Sequence, residues 1–218
     1  KSFKEPLITV ITVVKDNEKY LEETIRSVLA QKYKNIEYLI IDGNSKDKTR
    51  KIIKKYENYI DYWVSKKDKG IYDAFNTGLS LSNGDYIGFL NSDDIFTRNA
   101  MKYLGKYLKK NYDFIFGSVK KHWGLLHGFK PKKIWYTWGF YTSHSSGFFI
   151  NYKAMQKVGE YNLKYKYSSD YDYLYRMIVK YKLNGIASKK EEIFGIFRRG
   201  GYSSTIPFRK HFLEEIKI

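Results

Sequence analysis

Four polar residues, Asn91-Ser92-Asp93-Asp94, directly follow a short apolar run in the segment NGDYIGFLNSDD. Two adjacent carboxylates repel each other and no cationic residue stands beside them, so one role for the cluster is to hold a divalent cation that also binds diphosphate oxygens. Asp94 is also suited to capping a helix that we expect to begin near Thr97, because Asp is a preferred N-cap residue. A solvated turn is the third interpretation.

Acidic residues recur at the ends of the strands predicted in the first half of the chain. Asp42 ends the apolar run IEYLIID, Asp68 lies just past DYWVS, and Asp93 with Asp94 follows DYIGFL. Ligands of open parallel sheets bind beyond the carboxyl ends of the strands, so this repetition predicts one shared binding site. For Asp42, which precedes Gly43, a simple turn is the alternative.

Asp170 and Asp172 form another carboxylate pair, in the helix-like segment SSDYDYLYRMIVKYK. Either could act as a general base on a hydroxyl group. Asp170 could instead stabilise the helix N-terminus through the helix dipole, and Asp172 could form a salt bridge with Arg176 at i+4. On chemistry alone the two carboxylates are nearly equivalent candidates.

Alternating strands and helices must position these residues in the first half of the chain. The runs PLITVITVV, IEYLIIDG, DYWVS and DYIGFL predict four strands, and apolar residues at helical spacing predict helices between them. This alternation indicates an α/β fold with a mainly parallel, doubly wound sheet. The second half predicts strands in NYDFIFGSV, SGFFI and EEIFGIF and a helix in SSDYDYLYRMIVKYK.

The composition indicates one folded, strongly basic domain. The 218 residues carry a formal net charge of +17, with 43% hydrophobic and 18% aromatic residues and no cysteine. The charge predicts attraction to sugar-nucleotide phosphates, nucleic acid or an anionic membrane surface. Without cysteine, disulfides and thiolate metal sites are excluded. No apolar run approaches about 18 residues and no secretory signal pattern opens the chain, so no membrane span is expected.

The order and spacing of these motifs resemble those of family 2 glycosyltransferases with the GT-A fold. The resemblance covers about residues 6–205, is densest in the first hundred, and rests on ITVVKDNEKYLEETIRSVLAQKYKNIEYLIIDGNSKDKT, DKGIYDAFNTGLSLSNGDYIGFLNSDD, HSSGFFI, SSDYDYLYRM and GGYSS. It implies an inverting transfer of a sugar from a nucleotide-sugar, with Mn²⁺ or Mg²⁺ as cofactor. It also implies a UDP-sugar donor and a glycan or polyprenyl-linked acceptor in surface polysaccharide biosynthesis.

The same resemblance assigns the donor side of the site. Asn91-Ser92-Asp93 matches the family's Asp-x-Asp metal motif, with Asp93 as the implied ligand. Asn91 departs from the motif because an amide is a poor substitute for a carboxylate, so a clamp of two carboxylates requires Asp94. Asp73 stands where many relatives carry Arg, and it is expected only to line the wall with Asn76. The residues implied to bind the nucleotide-sugar are Val13, Asp42, Asp68, Lys69, Asn91, Ser92 and Asp93.

On the acceptor side the resemblance favours Asp170 over Asp172 as the catalytic base, although Ser169 replaces the Glu that precedes this Asp in the family. His144 is a further acceptor-side candidate, with a structural role as its alternative. Arg198 and Arg199, beside two glycines, could bind the diphosphate or form an exposed basic turn. An aromatic acceptor wall that faces the membrane is expected from Trp123, Trp135, Trp138 and Tyr141.

We therefore expect a single GT-A catalytic domain over residues 1–218, with a nucleotide-sugar-binding half at 6–100 and an acceptor-binding half at 101–205. Residues 206–218 are expected to begin a C-terminal helix that continues beyond this sequence. The expected location is the cytoplasm, with the basic surface at the inner face of the plasma membrane. The alternatives are a nucleic-acid-binding module, for which no RNP1-like run, KH loop or zinc-knuckle spacing is found, and an inactive sugar-nucleotide binder.

Overall fold

The computed structural model describes residues 5–110, 112–135, 145–198 and 207–218. Its helices and strands alternate through the first half and are shorter in the second. In chain order the elements are β1 (Ile8–Val14), α1 (Leu21–Leu29), β2 (Ile36–Asp42), α2 (Thr49–Lys55), β3 (Tyr62–Ser65), α3 (Ile71–Leu81), β4 (Tyr86–Phe89), β5 (Ile95–Phe96), α4 (Ala100–Leu108), β6 (Phe114–Phe116), β7 (Ser118–Lys121), β8 (Gly124–Leu126), β9 (Phe148–Asn151), α5 (Tyr152–Val158), α6 (Ser169–Tyr175), β10 (Gly185–Ala187), β11 (Ile193–Ile196) and α7 (Phe208–Glu215).

The larger sheet has seven strands in the order β10-β6-β9-β4-β1-β2-β3. β1 pairs in parallel with β2 and β4, and β2 pairs in parallel with β3. β9 runs antiparallel to its neighbours β4 and β6, and β10 is parallel to β6. The predicted α/β fold with a mainly parallel central sheet is therefore confirmed.

β1 lies at the centre of the core, and all seven of its residues are buried. Successive side chains of a strand point to opposite faces of the sheet. Val10 and Val14 accordingly join the apolar cluster that contains Leu21 of α1, whereas Ile11 joins the cluster that contains Phe75 of α3. Helices on both faces explain why all seven residues of the run ITVITVV, including its two threonines, are buried rather than alternately buried and exposed.

A second sheet of four strands, in the order β5-β11-β7-β8, was not predicted from the sequence. The backbone N–H of Thr97 donates to the carbonyl oxygen of Phe194 at 2.8 Å, beside the antiparallel pairing of β5 with β11. The chain therefore continues as a strand just after Asp94. The helix expected near Thr97 begins at Ala100, and its N-cap is Asn99 rather than Asp94.

The helix predicted in SSDYDYLYRMIVKYK changes its form part of the way along. It is α-helical over Ser169–Tyr175 and then a π-helix over Arg176–Lys180. The backbone N–H of Tyr181 donates to the carbonyl oxygen of Arg176 at 2.9 Å, which is the i to i+5 spacing of a π-helix. Such widened turns often occur at functional sites.

The C-terminal helix α7 forms within the segment where a helix was expected, residues 206–218. Its Glu214 reaches the loop that precedes α6. Among the described residues, no helix is both long enough and apolar enough to span a bilayer.

Candidate active site

A cavity of about 900 Å³ opens beyond the carboxyl ends of β1 and β4. This is the position at which open parallel sheets bind their ligands. The cavity joins the two halves of the chain, because its wall takes residues from the loops of the first half and from α6 of the second. Seven of the predicted site residues line it: Val13, Asp68, Lys69, Asn91, Ser92, Asp93 and Asp170.

The turn after β4, residues 91–94, is held in place by hydrogen bonds from the first helix and the loop before it. The hydroxyl of Thr24 contacts the carbonyl oxygens of Ser92 at 2.9 Å and Asp94 at 2.7 Å. The side-chain amide of Asn17 donates to Ser92 Oγ at 2.9 Å, and that of Asn91 donates to Ser145 Oγ at 3.1 Å. We call this turn the acidic turn; these contacts connect it to α1, the loop before α1 and Ser145.

The oxygens at the acidic turn suit a hard divalent cation. Asp93 is part of the cavity wall, and the buried Oδ1 of Asn91 meets no hydrogen-bond donor among the described residues. Mg²⁺ commonly binds one or two carboxylates and completes its coordination with water and substrate phosphates. Within the described ranges no group of three or more His, Cys, Asp or Glu side chains could hold an ion. A cation at this turn would therefore have to take most of its ligands from water and from a phosphate ligand.

Asp94 does not accompany Asp93 at the cavity. It is fully buried, it is absent from the cavity wall, and its Oδ1 accepts a hydrogen bond from the backbone N–H of Arg198 at 3.2 Å. Burial lowers the pKa of the Lys121 ammonium, and the negative charge of Asp94 opposes that effect. The backbone turns at these residues, since the N–H of Asp94 donates to the carbonyl oxygen of Asn91 at 3.0 Å, and the Asp94 side chain is buried in the protein. Asp93 and Asp94 therefore do not both face the cavity, and the expected pair of carboxylates around one cation is not formed.

Asp42 is also buried and lies outside the cavity wall, contrary to its expected contact with the nucleotide. Its two carboxylate oxygens accept hydrogen bonds from the hydroxyls of Ser45 and Ser65, and its Oδ2 also accepts from the backbone N–H of Ser45 at 3.2 Å. A buried carboxylate needs such partners. Asp42 thus joins the loops after β2 and β3, and Gly43 beside it leaves the space that the Asp68 carboxylate occupies.

Asp68 and Lys69 line the cavity from the loop that leads into α3. This loop is held by its own carboxylates, because Asp68 Oδ1 accepts from the backbone N–H of Gly70 at 3.1 Å and Asp73 Oδ2 accepts from that of Lys69 at 2.9 Å. Gly70 has φ 126°, a left-handed conformation that favours glycine. Asp73, expected to line the wall, instead fixes the loop that presents Lys69.

Asn76, the other expected wall residue, joins the two halves of the chain. Its amide nitrogen donates to the carbonyl oxygen of Tyr161 at 2.9 Å, and its Oδ1 accepts from the backbone N–H of Tyr161 at 2.7 Å. Tyr161 in turn stacks on Tyr72 and Tyr173 with ring centroids 5.7 and 4.4 Å apart. These rings form the aromatic floor between the donor-side loops and α6.

Asp170 faces the cavity from the first turn of α6. Its Oδ1 accepts a hydrogen bond from the Tyr72 hydroxyl at 3.0 Å and from the backbone N–H of Tyr171 at 2.9 Å. Tyr72 is buried, and burial together with the nearby negative charge of Asp170 raises its pKa well above the usual value. The phenol therefore remains a donor to the carboxylate over the physiological pH range. Of the two candidate bases, Asp170 lines the cavity and Asp172 does not.

Asp172 does not line the cavity and is bound to other protein groups. Its Oδ2 accepts from Arg176 Nε at 2.9 Å, and both side chains are largely buried. The same guanidinium also donates to the backbone carbonyls of Val158 and Glu160. The i+4 salt bridge recognised in the sequence is thus present, and it ties α6 to the end of α5.

Arg198 packs against the first helix rather than lining the cavity. Its guanidinium forms an ion pair with Glu23 and lies 5.2 Å from the ring centroid of Tyr20, which does line the cavity. The other residues predicted with it lie outside the described ranges, as does part of the expected acceptor wall. These residues are His144, Arg199, Trp138 and Tyr141.

Trp123 and Trp135, the described members of the expected acceptor wall, are 61% and 63% exposed and are not part of the cavity wall. The Lys121 ammonium lies 5.7 Å from the Trp123 ring centroid. Trp135 ends a 3₁₀ turn, Pro131–Trp135, that also carries two lysines. Both tryptophans are therefore exposed aromatic residues beside lysines.

Several residues that line the cavity were not singled out from the sequence. The hydroxyl of Tyr72 could have been suspected only from its tertiary contact, because its position in the helical pattern is that of any buried aromatic. Lys166, Tyr167 and His211 come from the loop before α6 and from α7, where the sequence has no motif of known chemistry. Their role depends on where α7 docks.

Comparison with known proteins agrees with this geometry. The profile of Glycosyl transferase family 2 matches residues 9–171. An uncharacterized glycosyltransferase of Mycobacterium tuberculosis H37Rv is 28% identical over 229 residues, covering 90% of this chain and 83% of the relative. An uncharacterized glycosyltransferase of Rickettsia typhi is 29% identical over 188 residues, covering 79% of this chain and 59% of the relative. The chain thus spans less than two thirds of the rickettsial protein.

A relative with a named reaction is the Escherichia coli UDP-Glc:alpha-D-GlcNAc-diphosphoundecaprenol beta-1,3-glucosyltransferase WfgD, which is 34% identical over 116 residues, 52% of this chain and 46% of that enzyme. Residues 1–349 of S. aureus TarS, solved with UDP-GlcNAc, superpose with a TM-score of 0.73 at 16% identity, covering 92% of this chain and 61% of that one.

The mannosyltransferase PcManGT from Pyrobaculum calidifontis, solved with GDP-Man and Mn²⁺, superposes with a TM-score of 0.74 at 14% identity, covering 99% of this chain and 65% of that one. At such low identity the solved structures establish the fold, whereas the profile match over residues 9–171 establishes the family. This chain, with its α/β architecture of the GT-A type, belongs to glycosyl transferase family 2.

Proposed function

We propose that the protein transfers a sugar, with inversion, from a nucleoside-diphosphate donor to a hydroxyl group of a glycan or polyprenyl-linked acceptor in surface polysaccharide biosynthesis. The observation that carries the proposal is that Asp93, from the first half of the chain, and Asp170, from the second half, line the same cavity. An inverting transfer needs a site for the diphosphate and one carboxylate placed to take a proton.

In the proposed reaction Asp170 acts as the general base. An acceptor hydroxyl bound beside it loses its proton to the carboxylate as the hydroxyl oxygen attacks the anomeric carbon. The new glycosidic C–O bond forms while the bond from that carbon to the diphosphate oxygen breaks, and the nucleoside diphosphate leaves with the electron pair. Tyr72 keeps the base oriented through its hydrogen bond, and the aromatic floor limits access of water.

On the donor side we propose that Asp93, with the Oδ1 of Asn91, holds Mn²⁺ or Mg²⁺. Such an ion supplies charge that stabilises the leaving diphosphate. Asp68 and Lys69 are proposed to contact the nucleoside, and Val13 to line its binding surface. Asp42 and Asp94 are proposed to support the site indirectly, because their hydrogen bonds hold the loops that carry these groups.

The relatives support a nucleotide-sugar donor and suggest where to search for it. The name of the E. coli relative gives UDP-Glc as its donor and a diphosphoundecaprenol-linked sugar as its acceptor. TarS was solved with UDP-GlcNAc, and the mannosyltransferase was solved with GDP-Man. UDP-sugars are therefore the first donors to test. The experiment is a panel of UDP- and GDP-sugars with Mn²⁺, in which release of UDP or GDP is followed with and without EDTA. If no donor is turned over and no nucleotide binds, the proposal is wrong.

Asp170→Asn tests the base directly, with Asp172→Asn as the matched control. Because general-base catalysis contributes about 10²–10⁴-fold, kcat of Asp170→Asn should fall at least about 100-fold while UDP binding is retained. Asp172→Asn removes the charge that pairs with Arg176, so the midpoint of thermal unfolding should fall by about 4 °C, as expected for about 1–2 kcal/mol, while kcat changes little. The reverse pattern, with turnover lost only in Asp172→Asn, would assign the base to Asp172.

A further inference from the structure

The side chain of Glu214, on α7, binds three consecutive backbone N–H groups just before α6. Its Oε1 accepts from Lys166 at 3.0 Å, and its Oε2 accepts from Tyr167 at 2.7 Å and from Ser168 at 3.0 Å. Ser168 is the N-cap of α6 but makes no side-chain capping hydrogen bond. Its hydroxyl instead contacts His211 of α7. The chain entering α6 is therefore fixed by the C-terminal helix.

The segment that Glu214 holds is part of the cavity wall. Lys166 and Tyr167 both line the cavity, and the candidate base Asp170 follows Ser168 by two residues. The Tyr72 hydroxyl contacts the Tyr167 carbonyl oxygen at 3.1 Å as well as Asp170, so the loop and the base share a partner. A shift of the backbone at residues 166–168 would therefore displace the carboxylate that faces the cavity.

The same helix also reaches the cavity directly. His211 lies three residues before Glu214, so the two side chains share one face of α7. His211 is part of the cavity wall, beside Tyr167, whose ring centroid lies 6.1 Å from that of the imidazole. One face of α7 thus holds the loop before α6 and forms the wall next to Asp170.

We propose that Glu214 is a positioning residue for the proposed base, and that α7 is a required part of the acceptor side of the active site. The inference rests on the proposed function, since it concerns the same carboxylate. The competing interpretation is that Glu214 only stabilises the fold. The two differ in their consequence for turnover, because displacement of a catalytic group by about 1 Å can cost about 100-fold in rate without unfolding the protein.

Glu214→Ala and Glu214→Gln test the proposal, with Glu192→Gln as the matched control. Glu192 is a carboxylate that, like Glu214, accepts several hydrogen bonds, here from Lys106, Tyr107 and the backbone of Lys189, and it lies outside the cavity wall. Each variant is compared with the wild type in thermal unfolding, in UDP binding with Mn²⁺ by calorimetry, and in kcat and donor KM for a donor that the wild type uses.

All three variants should unfold at lower temperature than the wild type, but only those at Glu214 should lose kcat. We expect about a tenfold loss or more in Glu214→Ala and a smaller loss in Glu214→Gln, which keeps one acceptor oxygen. The donor KM and the UDP dissociation constant should stay within about twofold, because the donor-side loops are untouched. Amide hydrogen exchange at residues 166–168 should become faster in both Glu214 variants.

A kcat for the folded Glu214 variants within about twofold of that of Glu192→Gln would overturn the inference, whatever the change in unfolding temperature. If Glu214→Ala does not fold, Glu214→Gln decides by the same criterion. These outcomes differ from failure of the proposed function, in which the wild-type protein itself turns over no nucleotide-sugar. Faster exchange at residues 166–168 without loss of kcat would likewise count against a positioning role.

Discussion

Asp170 and Asp172 are separated by one residue, yet their carboxylates have opposite surroundings. Residues two apart on a helix point to different sides, so α6 directs Asp170 into the cavity and Asp172 towards Arg176. The sequence predicted the salt bridge from the i+4 spacing. It could not show which side of α6 meets the cavity, because that depends on the packing of α6 against Tyr72 and α7.

The acidic turn shows the same limit. Asp93, expected to be a metal ligand, lines the cavity, whereas Asp94 and Asp42 are buried and bonded within the protein. Acidic residues at strand ends mark the edge of the sheet where a ligand binds. Whether each carboxylate points to that ligand or supports a neighbouring loop depends on partners such as Ser45, Ser65 and the backbone of Arg198, which come from other parts of the chain.

Tyr72→Phe should reduce turnover without disturbing donor binding. The substitution removes the hydroxyl that donates to Asp170, and a hydrogen bond to a charged group contributes about 1.5–3 kcal/mol. If the reaction depends on that contact, kcat should fall by about tenfold or more, since about 1.4 kcal/mol corresponds to tenfold in rate. The measurement is steady-state nucleotide release with a donor that the wild type uses.

Tyr86→Phe is the control for that substitution. Tyr86 is buried and donates to the carbonyl oxygen of Tyr112 at 3.0 Å, away from the cavity wall. Tyr86→Phe should lower the free energy of unfolding by about as much as Tyr72→Phe does, but it should leave kcat near the wild-type value. Equal kcat values for the two variants would mean that the Tyr72 hydroxyl does not contribute to the reaction.

At the scale of elements, the regular alternation of the first half could be predicted from the sequence, and the second sheet could not. β1, β2 and β4 have continuous apolar runs long enough to be recognised. β5 has two residues, and its pairing partner β11 begins about a hundred residues later in the chain. Strands this short have no usable periodicity, and their pairing depends on the completed fold.

The packing of α3 on β1 depends on a glycine, and Gly78→Ala should lower the free energy of unfolding. An added Cβ would lie 2.4 Å from Cγ2 of the fully buried Ile11. Alanine in a helix interior gains about 1 kcal/mol over glycine. Overpacking a core costs about 1–3 kcal/mol, so the clash should outweigh the gain. Denaturant unfolding measures the balance.

Gly105→Ala in α4 is the matched substitution without the clash. The nearest atom to its added Cβ is Tyr33 Cε2 at 3.8 Å, an ordinary contact distance. It should therefore raise the free energy of unfolding by up to about 1 kcal/mol. If both glycine variants were more stable than the wild type, the inference that α3 packs too closely on β1 to admit a Cβ at position 78 would be wrong.

At the scale of the whole molecule, the first and second halves of the chain share one central sheet, in which β4 pairs with β9. Polar contacts from α3 add to this, since Asn76 bonds to the backbone of Tyr161 and the Tyr72 hydroxyl contacts Tyr167 and Asp170. Trp123 and Trp135 are exposed beside lysines, and the whole chain carries a net charge of +17. We propose that these exposed aromatic and basic residues bind an anionic membrane.

Binding to lipid vesicles tests the membrane proposal. The protein should sediment with vesicles that contain phosphatidylglycerol, and binding should weaken between about 0.1 and 0.5 M salt, where the Debye length falls from about 10 Å to less than half of that. Trp123→Ala with Trp135→Ala should bind more weakly, whereas Tyr59→Ala, at a 67% exposed aromatic on another turn, should bind as the wild type does. Absent or salt-insensitive binding would contradict the proposal.

The hydroxyl of Thr24 and the side-chain amide of Asn17 hydrogen-bond to the acidic turn from α1 and from the loop before it. If the proposed cation binds at this turn, it meets oxygens that these contacts already hold, so binding should order little backbone. The conformational entropy of the turn is then lost during folding of the domain, and it does not oppose ligand binding a second time. We therefore expect binding of the ion to show little heat-capacity change, in contrast to sites that fold around their metal.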